Sequence, residues 1–288
     1  IREILGLFNR KSYVGYTATP YANIFIDRYI DNDKYGLDLF PDHFIFHLKP
    51  PKGLYMGPLE YFGTKDDDRY EQLPFIELVP TEDQALLKEE QLTNLPESLI
   101  EAVKSFVVAC ATRYDRGQRH KHNTMLVHVD RLTKYQSNIK REIVHLIDNI
   151  NNEIRYRNSE SLKIIWEENF KSITKEIIES NYFSDAVKLN CREHKWSEVK
   201  KHLIDVIDEL SVREVNSSSD GEPLDYDMYP DGKNFIAIGG DKLSRGLTLE
   251  GLSTSYYLRA SNFYDTLLQM GRWFGYRMGY LDLCRIYT

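Results

Sequence analysis

The 288-residue sequence contains only three cysteines, Cys110, Cys191 and Cys284. They are far apart and form neither a Cys-x-x-Cys pair nor a disulfide framework. A structural zinc is therefore not expected, and the chain fits a reducing, cytoplasmic setting. No apolar run reaches the length that crosses a bilayer, so no membrane partner is expected. The opening "IREILGLFNRKSY" is neither a signal peptide nor started by methionine, which leads us to expect a piece of a longer protein. Basic side chains are also short in supply. With 37 Lys and Arg against 44 Asp and Glu, the net charge is -7, and no global positive field recruits nucleic acid. Internal repeats and low-complexity tracts are missing, as is any G-x-x-x-x-G-K-[ST] loop to cradle a triphosphate. With 42% hydrophobic residues, the chain can bury one sizeable core, or one domain and part of another.

Several segments carry the marks of regular structure. Tyr13 to Tyr16 read as a short buried strand, left by the turn Thr17-Ala18-Thr19-Pro20. Residues 31–96 are irregular, with prolines at 41, 50, 51, 58, 74, 80 and 96, and read as a connector or insertion outside the core. A helix follows in "LPESLIEAVKSFVVACATRY", where Leu99, Val103, Phe106, Val107 and Cys110 share one stripe and Gly117 stops it. "NTMLVHVD" (123–130) reads as a strand, and Leu132, Tyr135, Ile139, Ile143, Leu146 and Ile150 as the helix after it. Two further helices are expected at 161–180 and 196–210, their aromatics serving the core. Strand candidates are "SVREV", "NFIAIGG", "STSYYLRA" and "DLCRIYT". Strands alternating with helices predict an α/β fold, a mostly parallel sheet with helices on both faces and an irregular and helical insertion. Ligands of such sheets gather at the carboxyl ends of the strands, where the turns at 17 and 239 would lie.

Four stretches stand out in chain order: "TATP" at 17, "MLVHVD" at 125, "GGDKLSRGLTLEG" at 239–251 and "QMGRWFGYR" at 269–277. A glycine-rich turn after a strand can surround an anion with backbone N–H groups, although many ordinary turns are also glycine-rich. The succession resembles the C-terminal half of a superfamily-two helicase-type motor. More closely, it is similar to the Z-one domain of predicted endonucleases, a family tied to such motors in phage defence and restriction. The resemblance implies a RecA-like, P-loop-type fold. It divides the chain into the end of a first lobe (1–30), a connector (31–96) and a second motor lobe (97–288) with a helical insertion at about 159–210. It also implies a nucleic-acid-dependent ATPase using ATP and Mg2+, whose site is completed by a missing N-terminal lobe carrying the phosphate loop. DNA of unknown type and other defence proteins would be its partners, and no metal would be held by this chain alone.

By the same resemblance, Arg272 is the first candidate for an arginine finger and Arg277 the second. Gly240, Asp241, Arg245, Gly246 and Gln269 would approach nucleotide, with Thr17 and Thr19 coupling the lobes. An arginine supplied by a second lobe stabilises charge on the transferred phosphoryl only when the lobes close. Arg277 follows Arg272 by more than one helical turn, so it reaches the same point only if the helix breaks near Gly275. "VIDEL" at 206–210 looks like a Mg2+-binding Asp-Glu box but fits an amphipathic helix better.

Two other readings stay open. One is a non-catalytic nucleic-acid-binding or scaffolding lobe using the basic stretch "RGQRHKH" at 116–122 with some of the 20 tyrosines. The other is the nuclease itself, with "DNDKYG" at 31–36 and "KDDDRY" at 65–70 as its dense acidic clusters.

Overall fold

The structure, a computed structural model, describes residues 1–17, 21–29, 31–32, 36–49, 54–62, 75–89, 92–130, 133–156, 158–215, 224–240, 247–258 and 272–288. The chain divides into two units, Ile1–Lys49 with Ser261–Gly271, and Pro50–Ala260 with Arg272–Thr288.

The first unit holds helix α1 (Arg2–Gly6), helix α2 (Tyr21–Ile24) and a small antiparallel ladder of β1 (Asp31–Asn32) with β2 (Gly36–Leu37). Tyr13 to Tyr16 form no strand and lie exposed, Tyr16 at 91%. This corrects the expected buried strand. An apolar strand is buried only between neighbours, and the ladder in this unit is two residues long.

The second unit is α/β. In chain order it contains β3 (Tyr55–Met56), α3 (Pro58–Phe62), β4 (Ile76–Glu77), α4 (Thr81–Leu86), α5 (Glu97–Asp115), β5 (Asn123–His128) and α6 (Thr133–Tyr156). Next come α7 (Glu160–Trp166), a π turn (Glu167–Lys171), α8 (Ser172–Glu179), α9 (Asp185–Asn190), α10 (Trp196–Lys200), α11 (Leu203–Asp208) and β6 (Leu210–Val215). Then follow β7 (Asn234–Gly239), β8 (Leu252–Tyr257), β9 (Gly275–Tyr276), a 3-10 turn (Leu281–Leu283) and β10 (Arg285–Tyr287). Six strands form one sheet in the order β4-β10-β8-β5-β7-β6, and every pairing in it is parallel.

The central strands β5, β7 and β8 are buried at every residue, as apolar strands covered on both faces must be. Alternate residues face opposite sides. Met125, Val127, Ile236, Ile238 and Tyr256 join a core with Val103, Phe106, Ile139 and Ile143 from α5 and α6. Each fully buried aliphatic or Phe side chain contributes about 1.5–3 kcal/mol to holding the helices on the sheet. Tyr226 and Tyr229 sit edge-on to Phe235 with ring centroids at 5.6 Å, and Trp273 lies against Tyr257.

Helix α5 follows its sequence stripe, with Leu99, Val103, Phe106, Val107 and Cys110 all fully buried. Pro96 caps its start. Its end is a Schellman turn in which Gly117 (φ +78) lets the Gln118 N–H reach the Arg113 carbonyl. The expected 161–180 helix runs as α7 and α8 through a π turn, and the expected 196–210 helix breaks at 201–202 into α10 and α11. Trp166 and Trp196 pack at 6.0 Å across these two segments. Residues 31–96 are more than a connector, because β4 is an edge strand of the sheet and Met56, Tyr61, Phe75, Val79, Leu87 and Leu92 are buried.

Candidate functional site at the carboxyl edge of the sheet

The chain leaves β5 toward β6 and leaves β8 toward β10, in opposite directions across the sheet. Neighbouring strands with diverging exits open a crevice at their carboxyl ends, where open α/β sheets bind ligands. His128 and Tyr257 are cross-strand partners at that point, their rings edge-on at 5.2 Å. On the other side of β5, β7 ends in Gly239 and Gly240, both buried.

Trp273 closes over Tyr257 at 5.3 Å and is 7% exposed. Its carbonyl accepts from the Tyr61 hydroxyl at 3.3 Å. Arg272 precedes it and is half-buried, and burial lowers its guanidinium pKa. The chain then enters β9, paired antiparallel with β3 through Tyr276 opposite Tyr55 and Gly275 opposite Met56. A helix therefore does not run through Gly275, whose φ of +145 suits glycine, and a Cβ there would meet Arg277 Nη1 at 2.9 Å.

Arg277 turns back onto this segment. Its Nη1 donates to the Tyr276 carbonyl at 3.0 Å, and its Nη2 donates to the carbonyls of Arg272 at 3.1 Å and Trp273 at 3.2 Å. Burial pulls its pKa down, but Tyr280, Cys284, Tyr61 and Tyr55 around it outweigh this and leave it raised.

Of the residues singled out by sequence, Gly240, Arg272 and Arg277 are described in the second unit, and Thr17 is exposed in the first. Thr19, Asp241, Arg245, Gly246 and Gln269 lie outside the described residues, as does "KDDDRY". "VIDEL" is structural: Val206 and Ile207 are buried, Asp208 pairs with Arg155, and Glu209 accepts from Tyr114 and Arg119. Gly251, closing the 239–251 stretch, has φ +64, and a Cβ there would strike the His122 carbonyl oxygen at 1.8 Å.

The arginines of "RGQRHKH" are engaged by carboxylates. Arg116 forks onto Asp282 at 2.7 and 2.6 Å, and Arg119 bridges Asp205 and Glu209 at 2.7 Å each. Asp282 is fully buried and also accepts from the Thr174 hydroxyl at 2.5 Å. Burial would raise its pKa, but Arg116 outweighs burial and holds it below the ordinary carboxylate value.

Asp115, His194 and Glu198 lie close enough together to suggest a metal site, yet their lone pairs are in use. Arg116 Nε donates to His194 Nε2 at 2.9 Å, so the His194 proton sits on Nδ1 and is given to Asp115 at 2.9 Å. Glu198 accepts from the Lys195 backbone N–H at 2.8 Å. Asp115 also faces Arg192, Lys201 and His202. Burial would raise its pKa, but hydrogen bonds from Lys201, His194 and His202 hold it down to about 2. The two cations on the carboxylate, Arg192 and Lys201, make this an ion-pair hub, a poor environment for a metal ion.

Residues 98–288, more than half of the chain, match the model of the Z1 domain family. The chain belongs to the Z1 domain family. The matched region of this Z1 domain protein includes the His128–Tyr257 pair, the 239–251 stretch and Arg272 to Arg277, and it excludes Thr17 and Thr19. No curated protein and no solved structure matches the chain.

Sequence reasoning missed the β3–β9 ladder, Tyr61 and the His128–Tyr257 pair. The first two sit in proline-dense or two-residue segments without a period. His128 and Tyr257 were inside expected strands, but their meeting depends on strand order.

Proposed function

We propose that the Z1 domain is the second, RecA-like lobe of a superfamily-two helicase-like, nucleic-acid-dependent ATPase tied to an endonuclease in phage defence or restriction. In this reading Arg272 is the arginine finger. Gly240, Asp241, Arg245, Gly246 and Gln269 approach the nucleotide, and Thr17 and Thr19 couple the lobes. A partner lobe supplies the phosphate-binding lysine loop and the Mg2+ carboxylates, with DNA as the nucleic acid.

The observation that carries this reading is Arg272, a half-buried guanidinium held next to Trp273, which packs on Tyr257 at the strand-order switch of a parallel sheet. An arginine brought to a transferred phosphoryl group by closure of two lobes stabilises the charge that develops in the transition state. In the non-catalytic nucleic-acid-binding reading, two of the basic side chains in its loop, Arg116 and Arg119, are already paired with carboxylates.

Half a site does not turn over. The 288-residue chain alone is expected to hydrolyse ATP no faster than a mock preparation, with or without DNA, whereas the complete protein hydrolyses it in a DNA-dependent way. Turnover by the isolated chain, or none by the complete protein, contradicts the reading.

A further inference from the structure

We infer that Arg277 is a positioning residue: it clasps the 272–276 turn and so sets where Arg272 points, without touching the reactants itself. This rests on the motor-lobe reading for its catalytic consequence but stands on separate geometry. Both terminal nitrogens of Arg277 donate to backbone carbonyls of the turn it follows, those of Arg272, Trp273 and Tyr276. Charged N–H donors to carbonyls are among the stronger protein hydrogen bonds. Swinging the guanidinium out toward a phosphate would abandon all three carbonyls at once.

The surroundings fit a clasp better than a finger. The groups that raise the Arg277 pKa are Tyr280, Cys284, Tyr61 and Tyr55, of which all but Tyr55 are buried in the packed interior. Gly275 is required by the same arrangement, since its φ is +145 and a Cβ would displace Arg277 Nη1. Tyr61 adds a second hold on the Trp273 carbonyl, and the β3–β9 ladder pins the following residues. The turn is thus fixed on both sides, and Arg272 stands at its start. Arginine is needed for this because its planar fork reaches several acceptors with two nitrogens, whereas lysine offers one point charge.

Trp273 reports on the clasp, being 7% exposed and covered by this turn. The chain has three tryptophans, so a Trp166→Phe, Trp196→Phe background leaves Trp273 as the sole fluorophore. In that background Arg277→Ala and Gly275→Ala are expected to raise acrylamide quenching of Trp273 several-fold, Arg277→Lys to raise it less, and Arg272→Ala to leave it unchanged. In the complete protein, Arg277→Ala is expected to lower DNA-stimulated turnover on the order of a hundredfold, the cost of a misplaced catalytic group. The Arg272→Ala, Arg277→Ala double variant should be no slower than Arg272→Ala, because the two residues act through one contact. Quenching unchanged by Arg277→Ala, or losses that multiply in the double variant, would overturn the proposal. If Arg272→Ala leaves turnover intact while Arg277→Ala still uncovers Trp273, the motor reading and the catalytic consequence fall, and only the hold on the turn survives.

Discussion

His194 is kept neutral by its two neighbours, one that needs its lone pair and one that needs its proton. Burial and the charge of Arg116 lower its pKa, and the hydrogen bond to Asp115 only partly opposes them. A histidine with a depressed folded-state pKa gives stability that is fully present above its unfolded value of about 6.5 and is lost as pH falls below it. The urea midpoint of the chain is therefore expected to drop between about pH 7 and pH 5. Asp115, held at about 2, stays ionised across that window and contributes no slope there. His194→Gln keeps one donor and one acceptor and should flatten the profile. An unchanged slope in this variant would show that other groups set the acid sensitivity. None of this was legible in the sequence, where His194 is one of eight histidines and stands far from Asp115 and Arg116. Arg272 was singled out because its neighbours "GRWFGYR" form a recognisable string. What the string does not reveal is that Arg277 folds back on it.

At the scale of elements, Asp282 ties three pieces together: the end of α5 through Arg116, α8 through Thr174, and the 3-10 turn that carries Asp282 into β10. Removing one charge of a buried pair typically costs about 3–5 kcal/mol, because the other is left uncompensated. Asp282→Asn is expected to lose stability on that scale by urea denaturation and to speed amide exchange first in 172–179 and 281–287. A loss below about 0.5 kcal/mol, the range of ordinary surface changes, would show that the fork is dispensable.

The long elements were readable. The α5 stripe, Ile139, Ile143 and Ile150 of α6, Met125 and Val127 of β5, Ile236 and Ile238 of β7 and Tyr256 of β8 all lie in the core. Shorter ones were not. Two-residue strands such as β4 and β9 carry no period, and the break between α10 and α11 falls within a continuous apolar stripe. Tyr13 to Tyr16 had a strand-like composition and no strand, because burial is a property of neighbours and is absent from the segment itself.

Over the whole sheet, parallel strands buried on both faces and joined by crossovers in opposite directions place a strand-order switch between β5 and β8. The order of strands decides where that switch lies, and order is a long-range outcome that local patterns do not encode. The glycine pair at 239 and 240, which directly follows an apolar run, does stand at the carboxyl end of β7. The account's central claim is that Arg272 acts on a nucleotide whose phosphate loop lies on another lobe.

The most direct test is DNA-stimulated ATP hydrolysis by the complete protein, wild type beside Arg272→Ala, with nucleotide binding followed in both. The account predicts that turnover falls about a thousandfold or more while binding survives. Equal turnover in the two proteins would contradict it.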